Sequence, residues 1–173
     1  THEQLLHAAE MEDRATLLEM RVYFALSYAT YQTGRFASFV MVGCRMVQAS
    51  LREGQCDLSC IGYVAFMTAM SAMKRPYPEC YRMGKLALRL AEQRDNKYFR
   101  ITVYHYFTSF YLHWCEPQAN ALPYLELGFE LGQAGINPVA SGYCALALAT
   151  TRFSLGLPLD DLEGDCLRGL KFL

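Results

Sequence analysis

Residues 97–115 read KYFRITVYHYFTSFYLHWC. On a helix, Phe99, Val103, Tyr106, Phe110 and Trp114 fall on one continuous stripe. Tyr104, Phe107, Tyr111 and Cys115 make a second stripe beside it. A helix apolar over this much of its circumference packs on several sides, and each buried Tyr or Trp needs a polar partner. The rival reading, a stacking platform for bases, requires a basic groove among the rings. Only Lys97 and Arg100 supply such charge, both at the start of the stretch. The segment therefore reads as a core helix, the outer member of a helix pair pressed on the helices before and after it.

The same pattern extends in both directions. Pro76, Pro117 and Pro158 lie 41 residues apart, and each follows a long apolar stretch. Proline stops a helix because it lacks an N–H and clashes with the preceding turn. A second break divides each interval, at REGQCD (52–57), QRDNK (93–97) and QAGINP (133–138), with Gly54, Asp95 and Gly135 spaced by 41 and then 40. Tyr63 and Tyr104 share an offset after the turn, and Tyr143 is one residue off it. Helix, turn, helix and proline recur, so the chain reads as an internal repeat.

The expected helices span 13–33, 36–53, 56–74, 77–94, 97–115, 118–134, 138–155 and 159–172, with essentially no strand. Asp13 suits the first as a cap, and Asp57, Asp160 and Asp161 suit the first turns of two others. Helix pairs of this kind hide their apolar faces only by stacking. The fold class is all-α, an α-solenoid of antiparallel pairs, TPR-like but with a longer repeat and without the W-x2-L-G-x2-Y signature. The repeat domain covers 13–173, in units of 36–76, 77–117 and 118–158 and a partial unit at 159–173. Residues 1–12 read as a linker or the end of a preceding helix.

Composition narrows the function classes. The 173 residues are 53% hydrophobic and 19% charged with net charge −1, so there is no overall pull toward nucleic acid or an acidic membrane surface. Seven scattered cysteines do not make a disulfide framework and suit a reducing, cytoplasmic setting. Cys56 and Cys60 share a helix face without a second ligand pair, and His105 and His113 stand eight apart with Ser109 between them, so no metal is expected. Neither 58–73 nor 131–151 reads as a membrane span, being too short or interrupted by GQAGINP. There is no Walker A pattern, dinucleotide-binding glycine motif or nucleophile elbow, so no cofactor and no catalysis is expected of this segment. The chain starts without Met and stops inside an apparent helix, as expected of a segment of something longer.

Charge is nevertheless uneven. Lys74 to Arg100 holds eight basic residues against three acidic ones, and Cys115 to Asp165 holds seven acids against Arg152 alone. Arg82, Lys85 and Arg89 form one stripe on helix 77–94, with Arg45 on a related face of helix 36–53. If first helices of each pair line the concave side, these four are the candidate partner-binding residues. The alternative is a ligand pocket among Met67, Met70, Tyr104 and Tyr106. Met67, Met70 and Met73 lie three apart, and a Met-rich face is an adaptable surface where it is not core filling.

Several phrases carry a resemblance: MVQASLREG (46–54), YRMGKLALRL (81–90), FYLHW (110–114), SGYCALALA (141–149) and GLPLDDLE (156–163). From about Met11 onward the chain resembles the helical-repeat region of very large multidomain signalling proteins. In that family a Ser/Thr kinase-like domain is followed by an AAA-type ATPase, the helical region, a GAF domain and often a sensor histidine kinase. The kinase and ATPase signatures are absent here, so the resemblance implies a non-catalytic regulatory segment that binds a protein segment or an adjacent domain. A small-molecule sensor of an ATPase-linked signalling or transcriptional regulator is the alternative. Oligomeric state is left open.

Overall fold

The computed structural model describes residues 2–74 and 77–172. Among these the chain is all-helical: α1 His2–Leu6, α2 Arg14–Gln32, α3 Phe36–Glu53, α4 Ser59–Lys74, α5 Tyr77–Gln93, α6 Lys97–Tyr106, α7 Leu122–Gln133, α8 Pro138–Ser154 and α9 Leu159–Phe172. Consecutive helices from α2 to α9 pack as antiparallel neighbours. Pro76, one of the three spaced prolines, lies outside the described residues.

Local chemistry sets the ends. Asp13 caps α2 by accepting from the Thr16 N–H at 2.8 Å and its hydroxyl at 2.7 Å. Asn96 accepts from the Phe99 N–H, and Asn137 accepts from the Ala140 N–H ahead of Pro138 at the start of α8. The break residues singled out by their spacing share one backbone property: φ is positive at Gly54 (99°), Asp95 (46°) and Gly135 (79°). Asp57 does not sit in the first turn of α4. That helix starts at Ser59, whose hydroxyl accepts from the Cys56 N–H, while Asp57 accepts from the Asn96 side chain at 2.8 Å.

Two departures from the sequence reading shape the core. The 97–115 stretch is not one straight α-helix. A wide π-helical turn spans Phe107–Tyr111 and a 3-10 turn spans Leu112–Trp114. A change of winding rotates every later residue about the helix axis, so the apolar stripe ends before Trp114, which is 51% exposed and stacks on Tyr77 at 4.1 Å. The rotation turns Tyr111 fully inward, where its hydroxyl binds the Val64 carbonyl and the Thr68 hydroxyl of α4.

The second concerns which alternate helices touch one another. α4 touches both α2 and α6, and α6 also touches α8, whereas α3, α5 and α7 make no comparable contacts with one another. Helices α2, α4, α6 and α8 thus form a self-touching row, to which the helices at 36–53 and 77–94, expected to line a partner-binding side, do not belong. Leu58 through Ala65 are all buried, while α5 keeps a polar face of Arg82, Lys85 and Arg89. An amphipathic helix belongs on the outside and an apolar one between neighbours.

Residues 2–12 fold back onto this body. α1 rests on α5, Leu6 and Met11 are buried, and Met11 donates its N–H to the Gln55 carbonyl in an isolated parallel bridge at Glu10. All seven cysteines are free, with Cys56, Cys60, Cys80 and Cys144 buried. Burial pushes the Cys60 and Cys144 thiols up to about 12, which leaves them unreactive. Among the described residues no helix is long and apolar enough to cross a membrane.

Helix crossings are tight where glycine permits. A Cβ on Gly84 of α5 would stand 2.6 Å from the Phe107 ring and 2.9 Å from the Tyr111 ring. Gly84→Ala should therefore lower stability by about 1–3 kcal/mol through overpacking. Gly164→Ala, on an open stretch of α9 with nothing within 4 Å, should raise it by about 0.5–1 kcal/mol. Urea unfolding of the two variants measures both; equal midpoints would contradict the crossing described.

Candidate functional site

Three helices of the self-touching row enclose a cavity of about 450 Å³. α2 brings Phe24, Tyr28 and Tyr31, spaced four and three apart and so on one face, with Gln32 beside them. α6 brings Tyr98, Thr102, His105 and Tyr106, and α8 brings Val139 and Tyr143. Ile61 of α4 and the buried Ser27 and Ala140 close the bottom. The Tyr28, Tyr31 and Tyr98 side chains stay substantially exposed on its walls.

Polar contacts hold the walls together. Gln32 donates from Nε2 to the Tyr143 hydroxyl at 2.7 Å, joining α2 to α8 across 111 residues of chain. Asn137, buried at the head of α8, donates from Nδ2 to the Tyr98 carbonyl at 2.9 Å and the Thr102 hydroxyl at 3.0 Å. His105 stacks on Tyr143 with ring centroids 4.9 Å apart and 18° between planes, and its Nδ1 lies 3.2 Å from the Ser109 hydroxyl. Burial lowers the His105 pKa to about 4, so the ring is neutral at pH 7. Burial pushes the Tyr106 hydroxyl far above its usual range, with the Tyr31, Tyr143 and Tyr28 hydroxyls adding to the shift.

The residues anticipated from sequence stand elsewhere, with one exception. Of Met67, Met70, Tyr104 and Tyr106, only Tyr106 lines the cavity. Met67 and Tyr104 are buried in the core, with Tyr104 against Tyr124 at 5.5 Å, and Met70 packs at its edge. Residues two apart on a helix point to different sides, so Tyr104 and Tyr106 do not share a pocket. Met73 is 61% exposed, so the three methionines do not form one uniform face.

The stripe Arg82, Lys85 and Arg89 lies on α5, away from the cavity, and each cation already has a carboxylate. Arg82 pairs with Glu79, Arg89 with Glu3 at 2.6 Å and Lys85 with Glu116 at 3.4 Å. Lys85 also lies over the Phe107 ring at 5.1 Å. Arg45 is exposed on α3, with no ion pair among the described residues. Among those residues no cluster of three or more His, Cys, Asp or Glu could hold a metal ion.

The wall residues Phe24, Tyr28, Tyr31, Tyr98, His105 and Tyr143 carry no mark in the sequence that assigns them to a pocket. The spacing on α2 signals a face, but nothing local says that this face meets α8. No protein-family model, curated protein or solved structure matches the chain.

The partly buried His105 ring carries a pH signature. A free histidine titrates near 6.5, so between about 6.5 and 4 the unfolded chain binds a proton that the folded chain refuses. The associated stability is present above this window and is lost as pH falls through it. The His105 ring proton resonance should titrate with a midpoint near 4, and His105→Phe should flatten stability between pH 6.5 and 4. A midpoint above 6 would contradict the desolvation of the ring.

Proposed function

We propose that this chain is a non-catalytic, ligand-receiving α-solenoid, TPR-like with units of about 41 residues, that serves as a sensor segment of a larger signalling protein. The carrying observation is the tyrosine-walled cavity bridging α2, α6 and α8. A partly enclosed, mostly apolar pocket with a few converging polar groups is what a small-molecule site requires. A surface that only docked proteins would have no need of one.

Support for the repeat comes from positions 41 apart that are buried alike: Phe39, Cys80 and Ala121; Met46, Ala87 and Gly128; Ser50, Ala91 and Gly132. The close approaches repeat as well. Gly43 faces the Phe66 backbone as Gly84 faces the Phe107 ring, and both partners of the second pair stand 41 positions after the first. In this reading the self-touching row is the inner wall of the superhelix. The resemblance to helical regions beside AAA-type ATPases and kinase-like modules supports a relay role: a ligand that joins α2, α6 and α8 would fix the curvature presented to neighbouring domains.

A neighbouring segment has its own candidate surface. Leu146, Phe153 and Leu159 of α8 and α9 are each more than 60% exposed and line one shallow groove. Such a face in a stacked array is ordinarily covered by the next unit or a partner. If an adjacent module of the parent protein docks there, Phe153→Glu with Leu159→Glu should weaken its binding at least about tenfold. Reversing Arg82, Lys85 and Arg89 to Glu should leave that binding unchanged. The opposite ranking in pull-down titrations would return the contact to the basic stripe.

The ligand site is tested by filling it. Ala25 is exposed on α2 at the pocket mouth, so Ala25→Trp should occupy the space without disturbing the core. A naphthyl probe series of neutral, anionic and cationic members is added to wild type and variant, and thermal unfolding is followed. At saturating probe, at least one member should raise the wild-type Tm by about 2–4 °C and leave Ala25→Trp unchanged. If no member shifts wild type, or all shift both proteins equally, the pocket is not a ligand site.

A further inference from the structure

We infer that the ligand of the tyrosine pocket is an uncharged, flat, aryl-bodied molecule carrying a hydroxyl or carbonyl group, with that group seated at Tyr106. The inference rests on the pocket being a ligand site, as proposed above, and adds its chemical class.

The lining determines the charge. None of the sixteen residues around the cavity is Asp, Glu, Lys or Arg. Two other clefts of the molecule are charged by contrast. The cleft between α2, α5 and α6 is bordered by Glu10, Arg21, Asp57 and Arg94, and the one against α9 by Arg152, Asp160, Asp161, Asp165 and Arg168. His105 is the one titratable base on the wall, and it is neutral. A charged ligand would leave water and meet no opposite charge, which disfavours burial.

The walls determine the shape. The Phe24 ring stands edge-on to Tyr98 at 6.4 Å, Tyr31 is tilted against Tyr106 at 6.4 Å, and His105 lies flat on Tyr143. Aromatic faces of this kind favour offset stacking or edge contact with another ring. Tyrosine faces also attract ammonium groups, but a cage does so by closing tightly on one small cation. A cavity of about 450 Å³ is too wide for that and fits a multi-ring body.

The hydroxyls determine where the polar group goes. The partly buried Tyr106 lines the cavity, and its hydroxyl makes no hydrogen bond to another described residue, so it is free to meet a ligand oxygen. The Tyr143 hydroxyl accepts from Gln32 and keeps its own proton for donation. A ligand oxygen between them would accept from one and satisfy the other.

The experiment uses the whole chain at pH 7 with naphthol, naphthoate, naphthylmethyl-trimethylammonium and naphthalene, titrated by fluorescence. Naphthol should bind at least about tenfold more tightly than either charged member. Tyr106→Phe should weaken naphthol about three- to tenfold and leave naphthalene unchanged. Tighter binding of the anion or the ammonium probe would overturn the uncharged assignment. Naphthol affinity unchanged by Tyr106→Phe, or unaffected by Ala25→Trp, would overturn the placement. If none of the four binds, the ligand-site reading itself fails, and this inference with it.

Discussion

The fully buried Tyr111 hydroxyl, shared between the Val64 carbonyl and the Thr68 side chain, is the interaction on which the arrangement of helices turns. It joins the segment after α6 to α4 across more than 40 residues of sequence. Tyr111 ends a π-helical turn, and Gly84 leaves room for the Phe107 and Tyr111 rings. Leaving such a hydroxyl unpaired would cost about 1–3 kcal/mol. With the end of α6 pinned, its preceding turns have one orientation, and His105 and Tyr106 face α2 and α8.

Charge and pocket are separated as a consequence. No Asp, Glu, Lys or Arg lines the pocket, and the ion pairs lie on other faces of the molecule. There the cations meet acids from distant segments: Arg94 with Glu10 at 2.7 Å, Arg89 with Glu3, Arg152 with Glu126 and Asp165. Exposed pairs of this sort contribute about 0–1 kcal/mol each and mainly fix orientation. Asp165 is the buried exception. It accepts from both Arg152 and Arg168, and these hydrogen bonds and charges outweigh its desolvation and hold its carboxyl below the usual range. The pocket is left with hydroxyls, amides and rings as its only chemistry.

Much of the fold was legible because its punctuation is local. Positive-φ glycines and capping Asn and Asp act within a few residues, so most helix ends fell within about three positions of those expected; the exceptions are the end of α6 at Tyr106 rather than 115 and the start of α7 at Leu122 rather than 118. Periodicity also identified the core character of 97–115. It did not identify the π-helical turn, whose last residue, Tyr111, is held by a tertiary hydrogen bond and packs on a glycine of another helix. Nor could it show that the basic stripe of α5 pairs with Glu3, Glu79 and Glu116. The pocket was the least legible part. Its walls come from residues as far apart as Gln32 and Tyr143, and only Tyr106 was anticipated.

The most direct test is an intermolecular NOE spectrum of the whole chain with bound naphthol. Cross-peaks to the ring protons of Tyr28, Tyr106 and Tyr143 together are expected, since only the cavity between α2, α6 and α8 brings these three within reach of one molecule. Cross-peaks confined to Phe153 and its neighbours on the α8–α9 face would contradict the assignment of the tyrosine pocket as the ligand site.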